Sequence, residues 1–212
     1  MGSARPRIAV ADTGSGNLRS VEKALTCAGA DVIVTGDADV IARADKIVVP
    51  GQGAFGGCIA GLSRDGGALR DVVVEGVRAG KPYLGLCLGL QILFDGSDED
   101  PSCRGLGILP GWVRRFPERP GLKVPHMGWN ATTKREPAAA RGPFRDIPDG
   151  TFFYFVHSFF AVPDRPDDVA LVTAHGDPFC AAVARDNLFA CQFHPEKSQQ
   201  AGLALLKAFV AV

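Results

Sequence analysis

A cysteine stands between two glycines in Tyr83-Leu84-Gly85-Leu86-Cys87-Leu88-Gly89-Leu90-Gln91, after one apolar run and before another. This is the nucleophile-elbow pattern of strand, sharp turn and helix, with a thiol in place of the usual serine hydroxyl. Glycines suit it because the turn is tight and its neighbours approach closely. At a helix start, free N–H groups and the helix dipole would favour a Cys87 thiolate. The N–H of Leu88 would point at the oxyanion of an attacked carbonyl. The plainer alternative is a buried cysteine between helix-packing glycines.

A nucleophilic thiol needs a base, and the base needs an orienter. Of the four histidines, His126, His157, His175 and His194, the last ends an apolar run in Cys191-Gln192-Phe193-His194-Pro195-Glu196. Pro195 biases His194 toward extended backbone. In extended backbone, side chains two residues apart project to the same side. Glu196 can then hold one imidazole nitrogen while the other faces Cys87. Alone, His-Pro-Glu is more simply a strand-to-helix loop; beside the elbow, the functional reading is preferred. In Val49-Pro50-Gly51-Gln52-Gly53 the glycines let backbone N–H groups turn toward a ligand, as an oxyanion hole requires. Glycine-rich turns of this kind are common, so that segment is weak by itself.

These segments must be positioned by a scaffold. Apolar runs at residues 7–11, 31–35, 46–49 and 82–86 predict strands, and helical spacing predicts helices over 18–28, 68–79 and 88–94. Leu18, Val21, Leu25 and Ala28 share one face of the first helix, with Gly29 placed to end it. Strand, helix, strand at this spacing indicates parallel βαβ units. The later runs, 107–110, 112–116, 151–156, 170–173, 181–184 and 188–193, read as mostly antiparallel strands. Residues 134–148 read as a surface loop. A last helix spans 199–210, with Leu203, Leu206, Phe209 and Val210 as its apolar stripe. The expectation is one α/β domain over residues 1–212, with a mixed, largely parallel open sheet flanked by helices.

Composition narrows the function classes. The chain has 212 residues, 46% of them hydrophobic, and its 23 basic side chains balance 23 acidic ones. A zero net charge disfavours a general polyanion binder. Phe152-Phe153-Tyr154-Phe155 without a basic stripe is expected in the core rather than on nucleic acid. No apolar run approaches the roughly 20 residues of a membrane span. Met1-Gly2-Ser3-Ala4-Arg5-Pro6 lacks the apolar stretch of a signal peptide, and Pro6 stands where a myristoylation site needs Ser or Thr. The cytoplasm is the expected compartment. Six cysteines without a C-x-x-C pair support neither a zinc site nor a disulfide framework. Gly14-Ser15-Gly16 resembles a dinucleotide loop, but Arg19 occupies the place of the third glycine.

Together, P-G-Q-G, G-L-C-L-G-L-Q and Q-F-H-P-E resemble the triad-type, class I glutamine amidotransferases, whose fold is flavodoxin-like. Four further segments, Asn17-Leu18-Arg19-Ser20-Val21, Pro125-His126-Met127-Gly128-Trp129-Asn130, Tyr154-Phe155-Val156-His157-Ser158 and His194-Pro195-Glu196-Lys197-Ser198, are similar to the glutaminase subunits of imidazole glycerol phosphate synthase. P-H-M-G-W-N is the most discriminating of them. The resemblance implies Cys87 as nucleophile, His194 as general base and acid, and Glu196 as its orienter. It implies Gly53 and Leu88 as oxyanion donors. It places Gly51, Gln91, Glu99, His157, Ser158 and Phe159 around the bound glutamine, and Trp129 and Lys197 against a partner. Gln52 and Phe159 depart from the valine and tyrosine frequent in the family. The implied reaction releases glutamate and ammonia through a glutamyl thioester, without metal or organic cofactor. The ammonia would pass to a separate (β/α)8 cyclase subunit in a heterodimer serving histidine biosynthesis. The alternatives are a glutaminase serving another synthase, a hydrolase of other amides, and a catalytically silent partner-binding subunit.

Overall fold

The computed structural model describes residues 5–14 and 16–212. The expectations that fall on Met1 to Ala4, and on Ser15 of the Gly14-Ser15-Gly16 loop, lie outside them. The chain runs β1 (Arg7–Ala11), α1 (Leu18–Cys27), β2 (Asp31–Thr35), α2 (Ala38–Arg43), β3 (Lys46–Gly51), α3 (Phe55–Leu62), α4 (Ala68–Arg78), β4 (Tyr83–Cys87) and α5 (Leu88–Gln91). It continues through β5 (Gly96–Ser97), β6 (Asp100–Arg104), β7 (Gly111–Arg115), β8 (His126–Ala131), β9 (Thr133–Lys134), β10 (Phe152–His157) and β11 (Phe159–Pro163). It ends with β12 (Val169–His175), β13 (Asp177–Arg185), β14 (Leu188–Cys191) and α6 (Gln199–Ala211).

Eight strands form the main sheet in the order β2-β1-β3-β4-β14-β13-β12-β9. The first five pair in parallel and the rest are antiparallel. Strands β3 and β4 are buried along their whole length, which explains their near-continuous apolar sequence. In β1, alternate residues face opposite cores. Ala9 and Ala11 join one with Ile41, Leu62, Val73 and Val77 from α2, α3 and α4. Ile8 and Val10 join the other with Val21 and Leu25 of α1 and Leu205, Leu206 and Phe209 of α6. The sheet therefore has helices on both faces, as expected of an α/β fold. Gly29, at φ +105, ends the first helix in the left-handed conformation.

Several sequence expectations are corrected. The run at 188–193 yields β14, which is parallel to β4 and antiparallel only to β13. A tight turn with Asp186 at φ +50 reverses the chain there, and the Asn187 side chain pins it by donating to the carbonyls of Val77 and Lys81. Residues 107–110 are not a strand: Gly107 has φ +59, and the N–H groups of Ile108 and Leu109 both donate to the Leu93 carbonyl. The helix read over 88–94 lasts one turn and tightens into i→i+3 bonds from Leu93 and Phe94. Residues 134–148 are no simple surface loop. Two 3₁₀ turns there bury Ala138, Ala139, Pro143 and Phe144, and Phe144 meets Phe189 edge-on. The stripe of α6 uses Leu205 and Gly202 in place of Leu203, because Gly202 lies against the Pro195 carbonyl.

Two smaller sheets complete the molecule, a β10-β8 ribbon and a β11-β7-β5-β6 sheet. In the ribbon, Phe153 and Phe155 are fully buried, but Phe152 is 57% exposed. Only half of the aromatic run is core, because β10 alternates inward and outward.

Candidate active site

Three parallel neighbours, β3, β4 and β14, end at the same edge of the sheet. Gly51 lies opposite Cys87, and Leu86 opposite Cys191. The carboxyl edge of an open α/β sheet is where such folds bind ligands. It brings together the three segments that the sequence holds far apart.

Cys87 closes β4 with φ 54 and ψ −103, a backbone conformation outside the favoured regions for an L-residue. Such strain, about 1–3 kcal/mol, persists only where the surroundings enforce it. A Cβ on Gly85 would collide with the Gly89 carbonyl, and one on Gly89 with the Val49 carbonyl. The fully buried Tyr83 hydroxyl donates to the Gly89 carbonyl at 2.7 Å. These contacts hold the elbow closed.

His194 lies beyond the end of β14, 3% exposed. Its Nδ1 is 2.8 Å from Glu196 Oε1, as the His-x-Glu spacing predicts. Its Nε2 is buried and has no hydrogen-bond partner of good geometry among the described residues. Burial alone would lower the pKa of His194, but the neighbouring Cys87 and Glu196 outweigh it and hold it up to about 9. The protonated ring is thus favoured over that of an ordinary histidine. By contrast, burial pushes the Cys58 and Cys180 thiols up to about 11 and about 12, so both stay neutral. The loop carrying His194 is itself fastened. The His194 N–H donates to the Tyr154 carbonyl at 2.9 Å. The Ser198 hydroxyl donates to the His194 carbonyl at 2.7 Å and accepts from the Tyr154 N–H at 3.0 Å.

A cavity of about 410 Å³ opens over this pair, a size that suits a small molecule. Gly53, Leu88, Gln91 and Glu99 line it, as do His157, Ser158 and Phe159. Gly51 does not: it is buried beneath Leu88, where a Cβ would strike the Leu88 side chain. Glu196 stands behind His194, outside the cavity wall. Lys197, expected at a partner surface, is exposed and lines the cavity mouth. Glu99 accepts from the Phe55 N–H at 2.6 Å and so also caps α3. Trp129 does not line the cavity and is 46% exposed on the ribbon.

The ring of His157 joins a cluster with His126 and His175. Its Nδ1 donates to the Phe159 carbonyl at 2.7 Å, so its Nε2 accepts from His126 Nδ1 at 3.1 Å. His126 Nε2 in turn accepts from the Asn130 amide at 3.4 Å. Burial lowers the pKa of His157 to about 3 and of His126 to about 4. Both rings are neutral, which this hydrogen-bond order requires. The largest omission of the sequence reading is Gln192, fully buried, whose amide donates to Cys87 Sγ at 3.4 Å. Strand alternation from His194 is the signal that points to it.

Residues 9–212 match the model of the glutamine amidotransferase class-I family. The imidazole glycerol phosphate synthase subunit HisH of Geobacter metallireducens is 47% identical over 95% of this chain and 96% of its own. The HisH subunit of Acinetobacter baylyi is 47% identical over 96% and 97%. Among solved structures, PurLQS from Thermotoga maritima aligns with a TM-score of 0.75 at 20% identity, over 98% of this chain and 99% of that one. At that identity the likeness concerns the fold alone.

Proposed function

We propose, for a chain that belongs to the class-I glutamine amidotransferases and within them to the HisH subunits of imidazole glycerol phosphate synthase, that it hydrolyses glutamine and supplies the ammonia to a cyclase subunit. Cys87, His194 and Glu196 carry the reaction within one amidotransferase domain. The Cys87 thiolate attacks the side-chain amide carbon of glutamine. The N–H groups of Leu88 and Gly53 stabilise the oxyanion. His194 protonates the departing ammonia, leaving a glutamyl thioester on Cys87. It then takes a proton from the water that hydrolyses the thioester, while Glu196 holds the ring. Gly53 has φ +98 and borders the cavity, so its N–H lies where a turn of its peptide would bring it to the oxyanion. Gln91 and Glu99 receive the amino-acid end of the substrate, and Ser158 and Phe159 wall the same pocket.

The observation that carries this reading is the placement of His194, held by Glu196 at 2.8 Å, beside Cys87 in the wall of one cavity. The ribbon side chains Met127, Trp129 and Phe152, 63%, 46% and 57% exposed, offer a (β/α)8 cyclase an apolar docking face in a heterodimer. Lys197 contributes at the mouth of the pocket.

Glutamate release from glutamine tests the proposal, measured with the chain alone and with a cyclase subunit plus its nucleotide ligand. Release stimulated by the cyclase and abolished by Cys87→Ala is the expected result. Release that survives Cys87→Ala refutes the mechanism. Trp129→Ala is expected to weaken cyclase binding by about 2 kcal/mol or more, the size of an interface hot spot, with the melting temperature unchanged. Unaltered affinity removes Trp129 from the interface.

A further inference from the structure

Two buried primary amides lie between the pocket wall and the sulfur of Cys87. Gln91 is 3% exposed and Gln192 fully buried. Gln91 Nε2 is 3.0 Å from the Phe159 carbonyl oxygen and 3.0 Å from Gln192 Oε1. Gln192 Nε2 is 3.4 Å from Cys87 Sγ. The orientation of an amide is decided by its partners. Here the Phe159 carbonyl decides it, because it has no hydrogen to give and must face the nitrogen of Gln91. That carbonyl also accepts from His157 Nδ1, so both of its lone pairs are used. The second hydrogen of Gln91 then requires Gln192 to present its oxygen. The NH₂ group of Gln192 is left facing Cys87. Flipping Gln192 would set nitrogen against nitrogen at one end and carbonyl oxygen against sulfur at the other, both in buried space.

We propose that Gln192 is a stabiliser of the Cys87 thiolate, alongside His194, and that Gln91 is a positioning residue that sets the polarity of Gln192. The inference rests on Cys87 being the nucleophile. A donor aimed at sulfur favours the anion over the thiol. Gln192 and His194 are two residues apart in an extended segment, so alternation sends both side chains to the same sulfur. The other titratable groups around Cys87 are Glu196, the thiols of Cys58 on α3 and Cys191 on β14, and Glu99 and Lys197 across the pocket. None of these gives Cys87 a hydrogen bond. Gln192 thus supplies the sulfur with a donor whose charge does not change with pH.

Alkylation of Cys87 by iodoacetamide, followed on its own peptide by mass spectrometry from about pH 5 to about pH 10, tests this on the full chain without substrate. Gln192→Met is expected to raise the midpoint by about one pH unit, which slows alkylation about tenfold below both midpoints. Gln192→Glu keeps the length and the acceptor for Gln91 but puts an acid against the sulfur. It is expected to raise the midpoint further, and it carries the test if the methionine variant does not fold. Gln91→Met is expected to give a smaller rise by freeing Gln192 to flip. Midpoints equal to wild type in folded Gln192 variants overturn the inference. Glutamate release separates the two levels: if Cys87→Ala still releases glutamate, the nucleophile reading falls. If release is lost while the Gln192 series stays flat, only the role of Gln192 falls.

Discussion

Opposed forces act on the imidazole of His194. Burial disfavours its charge, while Cys87 and Glu196 favour it and bring the pKa to about 9. A pKa raised in the fold contributes stability that is complete below the ordinary value of 6.5 and is lost as pH rises through about 9. The proposed general acid for ammonia departure disappears over the same interval. Glutamate release is therefore expected to decline on an alkaline limb near pH 9, read as kcat/KM against pH. Glu196→Gln removes one of the two raising influences and leaves burial opposed by Cys87 alone, so the limb moves to lower pH. Its kcat is expected to drop by about 10²–10⁴, the usual share of a positioned acid–base group. An alkaline limb that stays near 9 in Glu196→Gln contradicts this account of the ring.

At the scale of elements, the turn from β4 into α5 stores its strain against two glycines and one phenol. Tyr83→Phe leaves the buried Gly89 carbonyl without its donor. The expected cost is about 1–3 kcal/mol by denaturant titration, with weaker glutaminase activity as the elbow relaxes. Gly89→Ala is expected to be worse, because the methyl would meet the Val49 backbone, which cannot move aside cheaply. If Gly89→Ala is as stable as wild type, the turn is not the tight fit described. This turn was legible in the sequence because close packing on both sides of Cys87 leaves a glycine signature, Gly85 and Gly89. The His194–Glu196 contact of the proposed triad was legible for a related reason, since the His-x-Glu spacing encodes it. Helix α3 was not legible: Phe55-Gly56-Gly57 has poor helix propensity. Its start is held by Glu99, 44 residues further on. Gln192 escaped notice for the same reason, since its partners Gln91 and Cys87 lie about a hundred residues away along the chain. Parallel pairing of β14 was hidden too, because an apolar run carries no direction.

At the scale of the whole molecule, the β8–β10 ribbon joins its exposed face to the chemistry by two routes. One runs from Asn130 through His126 and His157 to the Phe159 carbonyl. Because both rings are neutral in the fold and would be charged in an unfolded chain at acid pH, the sign is opposite to that of His194. Their contribution to stability is complete above about 6.5 and is lost as pH falls toward about 4 and about 3. His157→Gln is expected to flatten the fall in melting temperature between pH 6.5 and pH 4 relative to wild type. An equally steep fall places the acid sensitivity elsewhere. The other route is shorter. The N–H of His194 donates to the carbonyl of Tyr154, on the same strand as the exposed Phe152. That amide proton can exchange with deuterated solvent only when the ribbon lifts from the loop. Its exchange rate is therefore a clock for ribbon opening, and anything that settles on the ribbon's outer face should slow that clock at the proposed catalytic base without touching it.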